Sequence, residues 1–374
     1  MSDMAQLITA IPKAELHVHI EGTIEADLLL TIADRNGIAL PYKSAADILA
    51  GQNKGKSDPK QNLDSFIEGL DVCRSVLRSG RDYEDITYGY LKRCQIEKSV
   101  YAEVMFDPQQ GLRQGVGIEA QLEALQSGSL AGARDFGVDV QWIMNFQRDW
   151  PVEEALNILD AIQPYRDQIA GIGLDNLELP DFPNTFAPVF AAAKKEGYKL
   201  TAHCDVHIPN SIEHIRGCIE TLGVERIDHG LNAIEDDSVV QQLVDKNIAL
   251  TGCPTRYAFQ SETSPDDLAM MTGLLERGVL ISLNSDDPAQ FGSGWLSQTL
   301  IEAQRTGNLS WKTMTKFMRN GFISAWLPSD RKAAYLQEFD RVSLCSEIIA
   351  SSAMRVYTLS IANNVKRGYL CTLE

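Results

Sequence analysis

Eight short apolar, β-branched runs, separated mostly by segments of helical period, predict an α/β fold of the (β/α)8, or TIM-barrel, class. The polar residues that interrupt this pattern fall at or just after the C-terminal ends of the runs, where a barrel enzyme carries its chemistry. "HVH" ends the first run, His203 the fifth, His229 the sixth and "NSDD" the eighth. The 374 residues exceed the usual prior of roughly 100–200 per domain, but such barrels routinely do so, and residues 1–374 are read as one barrel domain.

The strands are expected, in order, at Ala14–His19, Tyr101–Phe106, Val138–Asn145, Ile169–Leu174, Leu200–His203, Arg226–His229, Ala249–Gly252 and Leu280–Asn284. Between them, segments such as "VEEALNILDAIQPYRDQ" and "DDSVVQQLVDKN" repeat apolar residues with the 3.6-residue period of a helix. Residues 40–80 form a polar insert after the first strand ("AGQNKGKSDPKQNLD"), too long for a simple crossover and expected to be partly helical, a lid over the barrel mouth. Past residue 300 extra helices are expected ("WKTMTKFMRNGFISAWL", "RKAAYLQEF", "SLCSEIIASSAMRVYTL"), packed on the outside of the barrel.

Composition narrows the function. With 44% hydrophobic and 23% charged residues, the chain has the balance of a globular protein with a substantial core. A formal charge of −17 repels phosphate backbones and anionic lipid, so neither nucleic acid nor membrane is expected as a partner. No stretch of 18 apolar residues and no basic leader stands in the sequence. Seven cysteines (73, 94, 204, 218, 253, 345 and 371) form no C-x-x-C pair, which reads as reduced thiols in a cytoplasmic protein. Cys253 reads as a packed core thiol.

The six histidines stand at 17, 19, 203, 207, 214 and 229, and four of them end expected strands. His17 and His19 are two apart on a strand, so both project to the same side, which in a closed barrel is the interior. Paired core imidazoles are hard to satisfy, because each needs partners for two nitrogens, but they make good adjacent metal ligands. His-x-His alone is unspecific. The adjacent carboxylates of "NSDDP" (284–288) strengthen it, since they would repel without a cation or proton donor between them. Three imidazoles and one carboxylate make a Zn²⁺ site with room for water, whose pKa zinc lowers to roughly 7.

These residues carry a resemblance. "PKAELHVHIEGTIE", "YAEVMFDPQ", "RIDHG", "LTGCP" and "LNSDDPAQFG" resemble, in order and spacing, the adenosine/adenine deaminase family of the amidohydrolase superfamily, from about residue 11 to beyond 325. The resemblance implies a metal-dependent purine aminohydrolase with one Zn²⁺ held by His17, His19, His203 and Asp286. It implies that Asp286 also takes a proton from the attacking water, that His229 orients that water, and that Asp287 binds purine N7. "YAEVMFDPQ" and "GLDNLE" (173–178) are closer to adenine than to adenosine deaminases, which assigns Gly173 and Glu178 to substrate binding; the alternative for Glu178 is a solvated loop acid.

The chain departs from that family at one catalytic position. The family's fifth strand ends in His-Ala-Gly-Glu, whose glutamate protonates purine N1. Here the tetrapeptide is His203-Cys204-Asp205-Val206. Without the glycine the chain can stay extended, and a period of two places His203, Asp205 and His207 on one face. Asp205 is therefore expected to be the proton donor, with His207 next. Helix capping is the competing role for Asp205, but Asn210 or Ser211 are better placed for that, and His214 is read as structural. "CPTRYAFQSE" (253–262) and "PAQFGSG" also differ from the family, at the expected pocket mouth.

The resulting expectation is hydrolytic deamination at C6 of adenine or an N6-substituted adenine, in a possible homo-oligomer. Two alternatives are adenosine as substrate and a purine-binding protein that lost turnover with the glutamate. A two-metal relative would need a lysine ending strand four, where "IAGIGLD" has none, and the cytidine-type zinc deaminases need H-x-E with P-C-x-x-C.

Overall fold

The computed structural model describes residues 3–52, 69–206, 208–255, 263–291 and 294–344. Eight strands follow chain order in one sheet. They are β1 (Lys13–Glu15), β2 (Ser99–Phe106), β3 (Asp139–Gln147) and β4 (Ile169–Asp175), followed by β5 (Lys199–Cys204), β6 (Arg226–His229), β7 (Ala249–Gly252) and β8 (Ile281–Leu283). All neighbouring pairs are parallel. A parallel bridge between Val18 and Asp286 joins the β8–β1 seam. The expected class is the observed one: a nearly closed barrel with helices around it.

The first strand is shorter than expected. Only Lys13–Glu15 form a ladder, because the Leu16 N–H turns to the Asn284 side chain (2.9 Å). Residues 17–19 then wedge between the β2 and β8 ends: Asp286 N–H donates to His17 O, His19 N–H to Asp286 O, and Met105 N–H to Val18 O, at 2.8–3.1 Å. This irregular splice ties the first metal-ligand candidates to the last.

The crossovers are helical where the periodicity places them, and their ends are capped. Helix Gly80–Glu97 starts with a Ser79/Asp82 capping box, and Asp236 accepts from the Ser238 and Val239 N–H groups at the start of Asp237–Lys246. Such caps are worth about 1 kcal/mol each. Helix Ala26–Asn36 leads into the insert, which itself holds helix Ala45–Gln52 and a helical stretch 69–75. Its centre, residues 53–68, lies outside the described residues, and so does the expected lid. The 69–75 stretch returns to the barrel mouth, where Arg74 donates to Asp107 at 2.5 Å, just after β2.

Beyond β8, helix Trp311–Ser324 lies against the β8 edge through an Asn320 Nδ2 bond to Ile281 O (3.0 Å), and the helical residues 329–344 pack on it by stacking Tyr335 on Phe322. The C-terminal part was expected only outside the barrel; instead Trp326 also helps to fill its N-terminal end. There the buried Arg226 guanidinium lies 4.0 Å from the Trp326 ring and 2.5 Å from Glu103. Helices expected beyond 344 fall outside the described residues. Among the described residues no helix is long and apolar enough to cross a membrane. Cys73, Cys94, Cys204, Cys218 and Cys253 are free and buried.

Candidate active site

Three imidazoles and a carboxylate meet at the C-terminal end of the barrel. His17 and His19 come from the splice after β1, His203 from β5, and Asp286 from the turn after β8. His203 Nε2 lies 3.1 Å from His17 Nε2 and 3.2 Å from His19 Nε2. Asp286 Oδ1 lies 3.4 Å from His17 Nε2 and 3.6 Å from His19 Nε2. A tetrahedral ion with bonds of about 2.0–2.1 Å sets its ligand atoms about 3.3–3.4 Å apart. These four separations bracket that spacing, His17, His19 and Asp286 fall within reach of one ion, and all four residues are buried.

The protonation pattern also fits a cation. His203 Nδ1 donates to Leu174 O (2.9 Å), and His17 Nδ1 faces Thr251 Oγ1 (3.1 Å). Both rings thus keep an Nε2 lone pair for the common point. Burial, reinforced by His17 and His19, holds His203 neutral with its pKa well below the usual value. Burial opposes ionisation of Asp286, but His17, His229 and His19 around it hold its carboxyl well below the usual range. Neutral imidazoles and an ionised carboxylate are the states that bind a divalent metal. Burial lowers the His19 pKa as well, whereas at His17 burial is outweighed by the neighbouring Asp286 and the pKa rises, so a metal would displace a proton from that ring.

His229 stands beside this set with Nε2 3.7 Å from Asp286 Oδ2. Strand alternation would turn it away, since its neighbour Asp228 is the inward residue. Its backbone escapes the alternation by taking a left-handed conformation, φ +60°, and Asp286 does the same at +66°. Left-handed non-glycine residues cost of order 1–3 kcal/mol and concentrate at functional sites. Burial and His17 push the His229 pKa down to about 4 against the pull of Asp286. Asp287 is buried, and burial together with Asp286 raises its pKa well above the usual value.

The residues expected to contact substrate are placed unevenly. Asp205 is at the site's edge, its side chain 34% exposed, with Oδ2 3.1 Å from Arg148 Nη2. It does not cap the following helix: Asn210 occupies the N-cap position, without a side-chain bond. Val206, at the family's glutamate position, is buried among apolar side chains and offers no acid. Glu178 is neither solvated nor open to a base. Its oxygens are taken by Arg148 (3.2 Å), His214 and the Asp205 N–H (2.7 Å). Gly173 packs inside the barrel: a Cβ there would fall 2.0 Å from Asn145 Oδ1. Its missing side chain makes room for Asn145, whose amide donates to Asp175 (3.0 Å), which lies 3.6 Å from His19 Nδ1. His214 is structural, bonded to Glu178 and Pro180 O. His207 lies outside the described residues. Cys253 is buried, and burial followed by Asp286 keeps it a thiol.

Sequence reasoning missed the arginines. Arg148, fully buried, donates to His203 O, Asn176 O and Asp205, and Arg74 comes from the insert. Neither belongs to a motif, and only the fold brings them in. It also missed Glu21, Asp107 and Asp175, whose burial around Arg74 no periodicity signals.

A buried three-histidine, one-aspartate site at the C-terminal end of a parallel barrel, flanked by a further histidine and aspartate, defines a hydrolytic deaminase of the amidohydrolase type. More particularly, the chain belongs to the adenosine deaminase family, whose model matches residues 12–342. It is 36% identical over 339 residues to an uncharacterized deaminase of Schizosaccharomyces pombe, covering 90% of this chain and 97% of that one. It is similar to the solved adenine deaminase of Arthrobacter aurescens (31% identity, TM-score 0.79, 89% of this chain and 99% of that one). A zinc-bound amidohydrolase from Burkholderia ambifaria also superposes (25% identity, TM-score 0.80, 93% of this chain and 96% of that one).

Proposed function

We propose that this chain removes the exocyclic nitrogen from C6 of adenine or an N6-substituted adenine, releasing ammonia or an amine, with one zinc ion held by His17, His19, His203 and Asp286. The observation that carries the reading is the 3.1–3.6 Å convergence of four ligand atoms with His229 and Asp287 beside them. The zinc in one similar structure and the substrate named for another support the choice of metal and base. Zinc bound there supplies Lewis acidity that brings hydroxide within reach of neutral pH.

The chain's own groups perform the proton transfers. Asp286 takes one proton from the attacking water and returns it to the departing nitrogen. His229, neutral near pH 7, sits against Asp286 Oδ2 and orients the water toward C6. Asp287 holds purine N7 by hydrogen bonding. Asp205 gives a proton to N1 and recovers one from the new C6 hydroxyl as it becomes a carbonyl. The balance is one water consumed and one ammonia or amine released. Arg148 on Asp205 Oδ2 orients that carboxyl. Free, buried thiols support a cytoplasmic location as part of this reading.

The test is a zinc-replete assay of adenine, adenosine, N6-methyladenine and N6-isopentenyladenine, following amine release together with loss of adenine absorbance. Turnover of a free base supports the reading. Turnover of adenosine alone moves it to the nucleoside, and purine binding without turnover replaces it with a binding protein.

A further inference from the structure

The "RIDHG" motif contributes a second side chain besides His229. Asp228, on β6, faces into the barrel beneath the metal-binding imidazoles and is fully buried. Its Oδ1 accepts from Thr251 Oγ1 (2.7 Å) and its Oδ2 from Thr201 Oγ1 (2.6 Å). Thr251, having given its only proton to Asp228, can act only as acceptor toward His17 Nδ1 at 3.1 Å. The same carboxylate lies 3.9 Å from His17 Nδ1 and 3.7 Å from His203 Nδ1, one oxygen toward each ring. Arg226 stands behind it at 3.8 Å, itself held by Glu103. A single negative charge, clamped by two threonine hydroxyls, therefore sits under two imidazoles that need their protons on Nδ1.

We propose that Asp228, acting through Thr251, is a positioning residue that sets the tautomer and orientation of His17 and biases His203 the same way, so that both Nε2 lone pairs face the metal. This inference rests on the metal centre proposed above. Groups that orient metal-binding histidines in this manner typically contribute 10–100-fold to metal affinity. Thr251 contributes through its hydroxyl and Asp228 through its charge, which distinguishes this role from simple packing.

The experiment uses the full chain, stripped of metal and titrated with zinc against a chromophoric chelator, with the visible absorption of the Co²⁺-loaded protein as a second readout. Thr251→Val and Asp228→Asn are expected to weaken zinc binding roughly 10–100-fold and to alter the Co²⁺ bands. Thr251→Ser, which keeps the hydroxyl, is expected to stay close to the wild type in both. If Asp228→Asn does not fold, Thr251→Val still decides, because it leaves the Asp228 charge and its Thr201 bond in place. Wild-type affinity and bands in Thr251→Val, or a loss in Thr251→Ser as large as in Thr251→Val, would overturn the proposal. A wild type that binds no zinc would instead overturn the metal centre, and this proposal with it.

Discussion

Replacing Gly22 with alanine would test the role of Asp287 without altering that residue. Gly22 lies in the short 3-10 turn Ile20–Thr23 that follows His19. A Cβ on it would fall 1.8 Å from Asp287 Oδ1 and 2.6 Å from its Cγ. Non-bonded heavy atoms settle roughly 3.5 Å apart, so the carboxylate would have to retreat by about 1.7 Å. A misplacement of that order costs about 10²-fold in rate where a group positions substrate. The expected outcome is therefore a kcat/KM lower by about 10²-fold, with zinc content unchanged because Gly22 supplies no ligand. Overpacking would also lower stability by about 1–3 kcal/mol, so kinetics should be run well below the melting temperature, with metal content measured on the same sample. An unchanged kcat/KM in a folded, zinc-replete Gly22→Ala protein would refute the assignment of Asp287 to the base.

Three further outcomes follow from the site. Asp205→Asn should lower kcat by about 10²–10⁴-fold while zinc content stays full; wild-type turnover would place the proton donor elsewhere, with His207 next. Arg148→Met would leave buried Glu178 without its cation, and a loss of about 3–5 kcal/mol in urea unfolding is expected; a loss below about 1 kcal/mol would show that Arg148 is not the hub of that cluster. In metal-free protein, His229 takes up a proton only near pH 4 when folded but near 6.5 when unfolded. The unfolded state therefore binds more protons across that window, so stability should fall as the pH drops from about 6.5 to about 4. His229→Gln should flatten part of that slope, and a urea midpoint unchanged between pH 7 and 5 would contradict it.

Sequence by itself determined the barrel through short-range rules and marked the candidate metal ligands through motif resemblance. Short apolar runs set eight strands, polar residues at their ends drew attention to His17, His19, His203 and the aspartate pair, and the family resemblance singled out His17, His19, His203 and Asp286 as the ligand set. Tertiary structure alone decided which neighbours those residues have. Glu178 had the sequence of a substrate-facing or solvated acid, yet folding pairs it with Arg148 and His214, 30 and 36 positions away. Gly173, read as a substrate contact, also leaves the space that the Asn145 side chain fills. His229 reaches the site only through a left-handed backbone that strand alternation does not foresee. Asp228 acquires a role because β7 sets Thr251 between it and His17. The physical reason is common to these cases: periodicity encodes which side of an element a residue faces, whereas electrostatic pairing depends on which distant strand ends closure of the barrel brings within about 3 Å.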